Sequence, residues 1–128
     1  MALRNQKIHR RSFRYTPTIV AVTNVDATPV ALAPFFVTVT GKHVRVSGVV
    51  SVDPTAAATA SAVGIPLPYG IDVVAAGDVT GVASHLLCTL GASVTGDTTN
   101  NRAQLDFTSV TAAAAELWNF SFEYALPA

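Results

Sequence analysis

Alternation of apolar and polar residues at every second position constrains this chain more than any other feature. In HVRVSGVVSVD (43–53), Val44, Val46, Val50 and Val52 fall on one side with Gly48 in phase, while His43, Arg45, Ser47, Ser51 and Asp53 fall on the other. Successive side chains of a strand point to opposite faces, so a period of two describes a half-buried strand. RAQLDFTSV repeats the pattern, with Ala103, Leu105 and Phe107 on one face and Arg102, Gln104, Asp106 and Thr108 on the other. LWNFSFEYALPA directs Trp118, Phe120, Phe122, Tyr124 and Leu126 inward and Asn119, Ser121 and Glu123 outward. A strand this aromatic belongs to the core, because burying each large side chain is worth roughly 1.5–3 kcal/mol.

Weaker β signals lie at 18–25, 35–40, 64–71, 82–90 and 91–96, the 64–71 segment carrying two prolines that suit an edge or a crossing. Turn signals separate them at Asn24–Asp26, Thr40–Lys42, Gly77-Asp78 and Gly96–Asn101. The small-residue stretch 54–64 reads as a loop, and 109–117 as a loop with a short helix at most. Short strands spaced about ten residues apart, with no long helical pattern, predict an all-β antiparallel sandwich, jelly-roll-like, of about eight strands. It forms a single domain over 16–128, preceded by an extended basic arm over 1–15.

Charge is unevenly placed. Arg4, Lys7, Arg10, Arg11 and Arg14 make up five of the eight Lys and Arg residues, and the first acid is Asp26. The rest of the chain has an acidic surplus, which would repel phosphate and argues against nucleic-acid binding. Half of the residues are hydrophobic and only 12% are charged. That is apolar for a free surface and points to one covered by a partner or by other copies of the chain. No stretch has the length and apolarity of a membrane-spanning helix, since Pro66, Pro68 and Asp72 interrupt the best one, and no apolar segment follows the basic start as a signal peptide requires. No membrane partner is therefore expected. Cys88 is the single cysteine, which excludes an intrachain disulfide, and its apolar setting reads as a small buried hydrophobe.

Signals for catalysis are weak. His9, His43 and His85 are scattered without metal-ligand spacing to Cys, Asp or Glu. The carboxylates sit in turns or on outward strand positions, and no nucleophile elbow, phosphate loop or dinucleotide fingerprint is present. The chain is expected to be no enzyme and to use no cofactor and no metal. The basic segment is the candidate site. Arg4, Lys7, Ile8, Arg10, Arg11, Phe13, Arg14 and Tyr15 interleave cations with apolar anchors. Arginine outnumbers lysine there, and its planar guanidinium suits bidentate pairing with carboxylates. The arm is expected to dock on a neighbour, burying its apolar residues and pairing its arginines.

The ordered stretches HVRVSGVVSVDPTAA, GIPLPYGI, GDVTGVAS, VTGDTTNNRAQLDFTS and LWNFSFEYAL resemble a β-sandwich domain of tailed-bacteriophage virion proteins. That domain is found in capsid decoration (cement) proteins and at the C-termini of tail fibres. The matching motifs are Asp53-Pro54-Thr55, Leu67-Pro68, Gly81, Gly96-Asp97, Asn100-Asn101-Arg102-Ala103, and Phe120, Phe122 and Tyr124, spread over about 35–126. The resemblance implies a jelly-roll-like fold, a homotrimer and a place in the virion, assembled in the cytoplasm of the host bacterium. Fibre members carry long N-terminal stalks, whereas here only the basic segment precedes the first strand. The expectation is therefore a capsid decoration protein whose partner is the major capsid protein. The alternative is a tail- or fibre-associated protein that binds a host surface or glycan.

Overall fold

The computed structural model describes residues 10–86, 90–111 and 115–127, with the backbone alone at Ala27 and Thr28. Arg4, Lys7, Ile8, His9 and Cys88 lie outside the described residues. Among the described residues ten strands follow one another: β1 (Arg10–Tyr15), β2 (Val20–Thr23), β3 (Val25–Ala31), β4 (Phe35–Thr40), β5 (His43–Pro54), β6 (Ala60–Ile65), β7 (Val79–His85), β8 (Gly91–Asp97), β9 (Arg102–Thr108) and β10 (Glu116–Ala125). The chain is all-β, and every strand pair is antiparallel.

Hydrogen bonding runs unbroken in the order β1-β4-β5-β10-β7-β8-β9-β6-β2, with β3 paired to β5 off this path. The facing layers expected of a sandwich are thus joined into one sheet. Long β5 takes β4 along its first half, from Thr40↔His43 to Phe36↔Ser47, and β3 along its second, from Ala31↔Val50 to Val25↔Pro54. Only Asn24 separates β2, at the far edge of the sheet, from β3 beside β5. The sheet therefore curls until its β2 end meets β3 beside β5 at this corner. Asn24 adopts a φ of 53° there. Its side chain donates to Ala56 O and Ser61 Oγ and accepts from Ala56 N, each at 2.9 Å.

The core lies inside the curl. Val44, Val46, Val50 and Val52 of β5 meet Leu105 and Phe107 of β9 and Trp118, Phe120, Phe122 and Tyr124 of β10, all buried. The ring of Phe35 lies over Gly48, where a side chain would collide with it, and edge-on to Phe120 at 4.9 Å between centroids. Gly41, with φ 61°, opens the two-residue β4–β5 hairpin loop, where a positive φ favours glycine.

Four parts differ from what the sequence predicts. The stretch read as a loop over 54–64 holds the end of β5 and most of β6, whose Ser61–Ile65 are all buried. Small residues buried on both faces leave no alternation to read. Conversely, 66–72 contains no strand, since its prolines cannot supply ladder donors. β7 begins at Val79 and ends at His85, so the strand expected over 82–90 lies earlier in the chain. The arm expected through residue 15 becomes a sheet strand at Arg10.

Candidate interaction surface

β1 forms one edge of the sheet, paired with β4 from Arg10↔Thr40 to Tyr15↔Phe35. Directly opposite residues share a face. Arg11, Phe13 and Tyr15 therefore lie on the core side with buried Val39, Val37 and Phe35, and Arg10, Ser12 and Arg14 lie outside with Thr40, Thr38 and Phe36.

The segment after β6 closes over the core side of β1. Tyr15 Oη donates to Pro66 O (2.9 Å), Phe13 meets the Tyr69 ring edge-on at 5.8 Å, and Arg11 Nη2 donates to Tyr69 Oη (2.9 Å). Tyr124 Oη accepts from Tyr69 N (3.0 Å) and donates to Tyr69 O (2.8 Å), tying this segment to β10. Burial pushes the Tyr124 phenol up to about 12. Burial, with the Tyr124 phenol nearby, also raises that of Tyr15. Phe13 and Tyr15 were expected to bury themselves in a neighbour, but both pack on the chain's own body. Arg10, Arg11 and Arg14 are exposed, and among the described residues none forms an ion pair. The Arg14 guanidinium lies 5.8 Å from the centroid of the Phe36 ring.

Phe36 begins an outward row that crosses the sheet through Ser47, Ser121 and Val82 to Ser93. A second row runs through Val49, Asn119, Ser84 and Gly91, with Leu32 joined to Val49 by a backbone hydrogen bond. A third holds Val30, Ser51 and Leu117, and Leu86 N bonds Leu117 O beside it. Val30, Leu32, Phe36, Val82 and Leu86 are exposed, Val82 at 69%. Between Arg14, paired with Phe36, and Asp106, paired with Ser93, none of these rows contains a charged residue. At about 3.3 Å per residue and 4.8 Å per strand, they cover on the order of 500 Å². Patches of that size on a soluble protein are often functional. Toward the hairpin end the same face becomes charged, with Arg45 and with His43 bonded to Glu123 at 3.0 Å. The surface thus grades from unpaired arginines at one edge to an uncharged middle. The sequence shows the basic segment but not the face, because the face is assembled from six strands.

Several other polar groups serve the fold. The side-chain hydrogen bond from Asn100 and the backbone amides of Thr99 and Asn100 hold the Asp97 carboxyl below its ordinary range, and Arg102 Nε bonds it at 3.1 Å. Asp78 accepts from Val74 N and Ala75 N. Buried Glu116 accepts from Val110 N, Thr111 N, Thr111 Oγ1 and Trp118 Nε1 at 3.0–3.1 Å. Its position in phase with Trp118 was the available signal for that burial. His85 is buried edge-on to Trp118 at 5.4 Å. Among the described residues no three His, Cys, Asp or Glu side chains converge on a metal-sized site. No described helix is long and apolar enough to cross a membrane. Compared with family models, with curated proteins and with solved structures, the chain matches none.

Proposed function

We propose that the chain is a non-enzymatic structural protein of a tailed-bacteriophage particle, a decoration protein that binds across major capsid subunits and stabilises the assembled head. The observation that carries this reading is the continuous surface from the unpaired arginines of β1 to the uncharged outer face of β4, β5, β10 and β7. Such a surface suits broad contact with other protein subunits. The ordered motifs from Asp53-Pro54-Thr55 to Phe120, Phe122 and Tyr124 are the reason for naming a phage particle. Part of the outer face buries against other copies in a closed homotrimer, and the basic edge engages the capsid.

A protein that binds only the assembled shell stabilises the shell by mass action and needs no chemistry to do so. The test strips the protein from purified particles, adds it back, and follows genome release on heating. Stripped particles should burst at a lower temperature, and re-addition should restore the original value. Equal heat resistance with and without the protein would overturn the reading in favour of a host-binding role.

A further inference from the structure

We propose that the free edge of β1 takes up an extended acidic segment of a partner polypeptide as an added strand, with two carboxylates four residues apart pairing with Arg10 and Arg14. This rests on the reading of β1 as the attachment edge.

β1 is hydrogen-bonded to β4 on one side. Among the described residues no backbone group pairs with its other side. An edge strand of this kind presents a row of N–H and C=O groups that can template a further strand. The side chains decide which strand. Arg10, Ser12 and Arg14 share the outer face and are all exposed. Arg10 and Arg14 stand about 13 Å apart at ~3.3 Å per residue. Arg14 is held over Phe36, whereas Arg11 on the opposite face is engaged by Tyr69. The matching strand therefore has an acid, a small or β-branched residue and a second acid at alternate positions. That pattern reads the same in either chain direction. A second copy of β1 is a poor occupant: paired antiparallel about Ser12, it would set Arg10 against Arg14 twice. Like charges directly opposite destabilise a ladder.

The test measures binding of short capped peptides to the full chain by fluorescence anisotropy at low salt. One peptide alternates threonine and valine, with glutamates four residues apart. Its counterpart carries lysine in place of glutamate. Two further versions of the acidic peptide are N-methylated at alternate residues, each blocking one of its two hydrogen-bonding edges. The acidic peptide should bind and the lysine peptide should not. N-methylation should abolish binding on one edge and leave it intact on the other. Arg10→Gln and Arg14→Gln, both at exposed positions, should each weaken binding about fivefold, with unchanged thermal unfolding.

Equal binding of both N-methylated versions would overturn the proposal, because attraction would then be electrostatic without strand addition. So would equal binding of the lysine peptide, or no binding of the acidic one. The same variants added to stripped particles separate the two readings. Lost particle attachment with no peptide binding refutes strand addition and leaves the attachment edge standing. Peptide binding with unaffected particle attachment supports strand addition and refutes the attachment edge.

Discussion

Gly48→Ala puts propensity and packing in direct opposition. Glycine inside a strand costs roughly 0.5–1 kcal/mol relative to alanine through lost backbone freedom, so propensity alone makes this a stabilising change. The structure gives the opposite sign. A methyl group at Gly48 would stand 3.0 Å from Cγ and Cε1 of Phe35, and nearer still to Cδ1. Carbon atoms pack at about 3.5–4.0 Å. The Phe35 ring has little room to retreat, being fully buried between Phe120 and Tyr15, with centroids at 4.9 and 5.8 Å. Overpacking of this kind costs about 1–3 kcal/mol, so the net loss should be about 1–2 kcal/mol, or several degrees in Tm for a domain this size. The assay is guanidinium unfolding followed through the fluorescence of Trp118, the single tryptophan, which is buried. Phe35→Ala removes all three of these ring atoms, so Gly48→Ala combined with Phe35→Ala should cost less than the sum of the two single changes. A Gly48→Ala variant as stable as the parent, or strictly additive costs, would refute this placement of Phe35.

Further outcomes follow from other contacts. The Tyr124 phenol, raised to about 12 by burial, stays protonated in the folded chain at pH values where the unfolded chain ionises near 10. Stability should be full below about pH 10 and fall as pH rises toward 12; Tyr124→Phe should flatten part of that fall and cost about 1–2 kcal/mol at neutral pH, read by denaturant titration across the alkaline range. Glu116→Gln sets an amide donor among groups that already donate and should cost about 2–3 kcal/mol while shifting Trp118 emission. Val82→Arg, on the exposed outer face, should leave unfolding within about 0.5 kcal/mol of the parent while weakening the proposed self-association in sedimentation; unchanged association would remove this face from the proposed trimer contact.

The sequence was most legible where one face of a strand is buried and the other wet. β5, β9 and β10 carry that contrast residue by residue, and their inward sets are the buried ones. It was opaque where the contrast is missing. β6 buries small side chains on both faces, and β3 contains Pro29 and the turn former Asp26, yet pairs with β5 through an irregular register. The basic segment was visible as charge but not as a strand. Its core-side residues Arg11, Phe13 and Tyr15 alternate with outward Arg10, Ser12 and Arg14, so cations fall on both faces and hide the period. Charges along a sheet edge also deter unwanted strand pairing, which explains their place in the fold independently of any partner. The uncharged outer face could not be read along the chain, because its rows join residues brought together only by register.

The abundance of this chain in purified particles tests the central claim most directly. Quantitative mass spectrometry against the major capsid protein reads it without perturbing the assembly. A decoration protein should be present in a fixed, high ratio to the major capsid protein, set by sites repeated across the shell. The small copy number of a tail structure, or absence from the particle, would contradict the account.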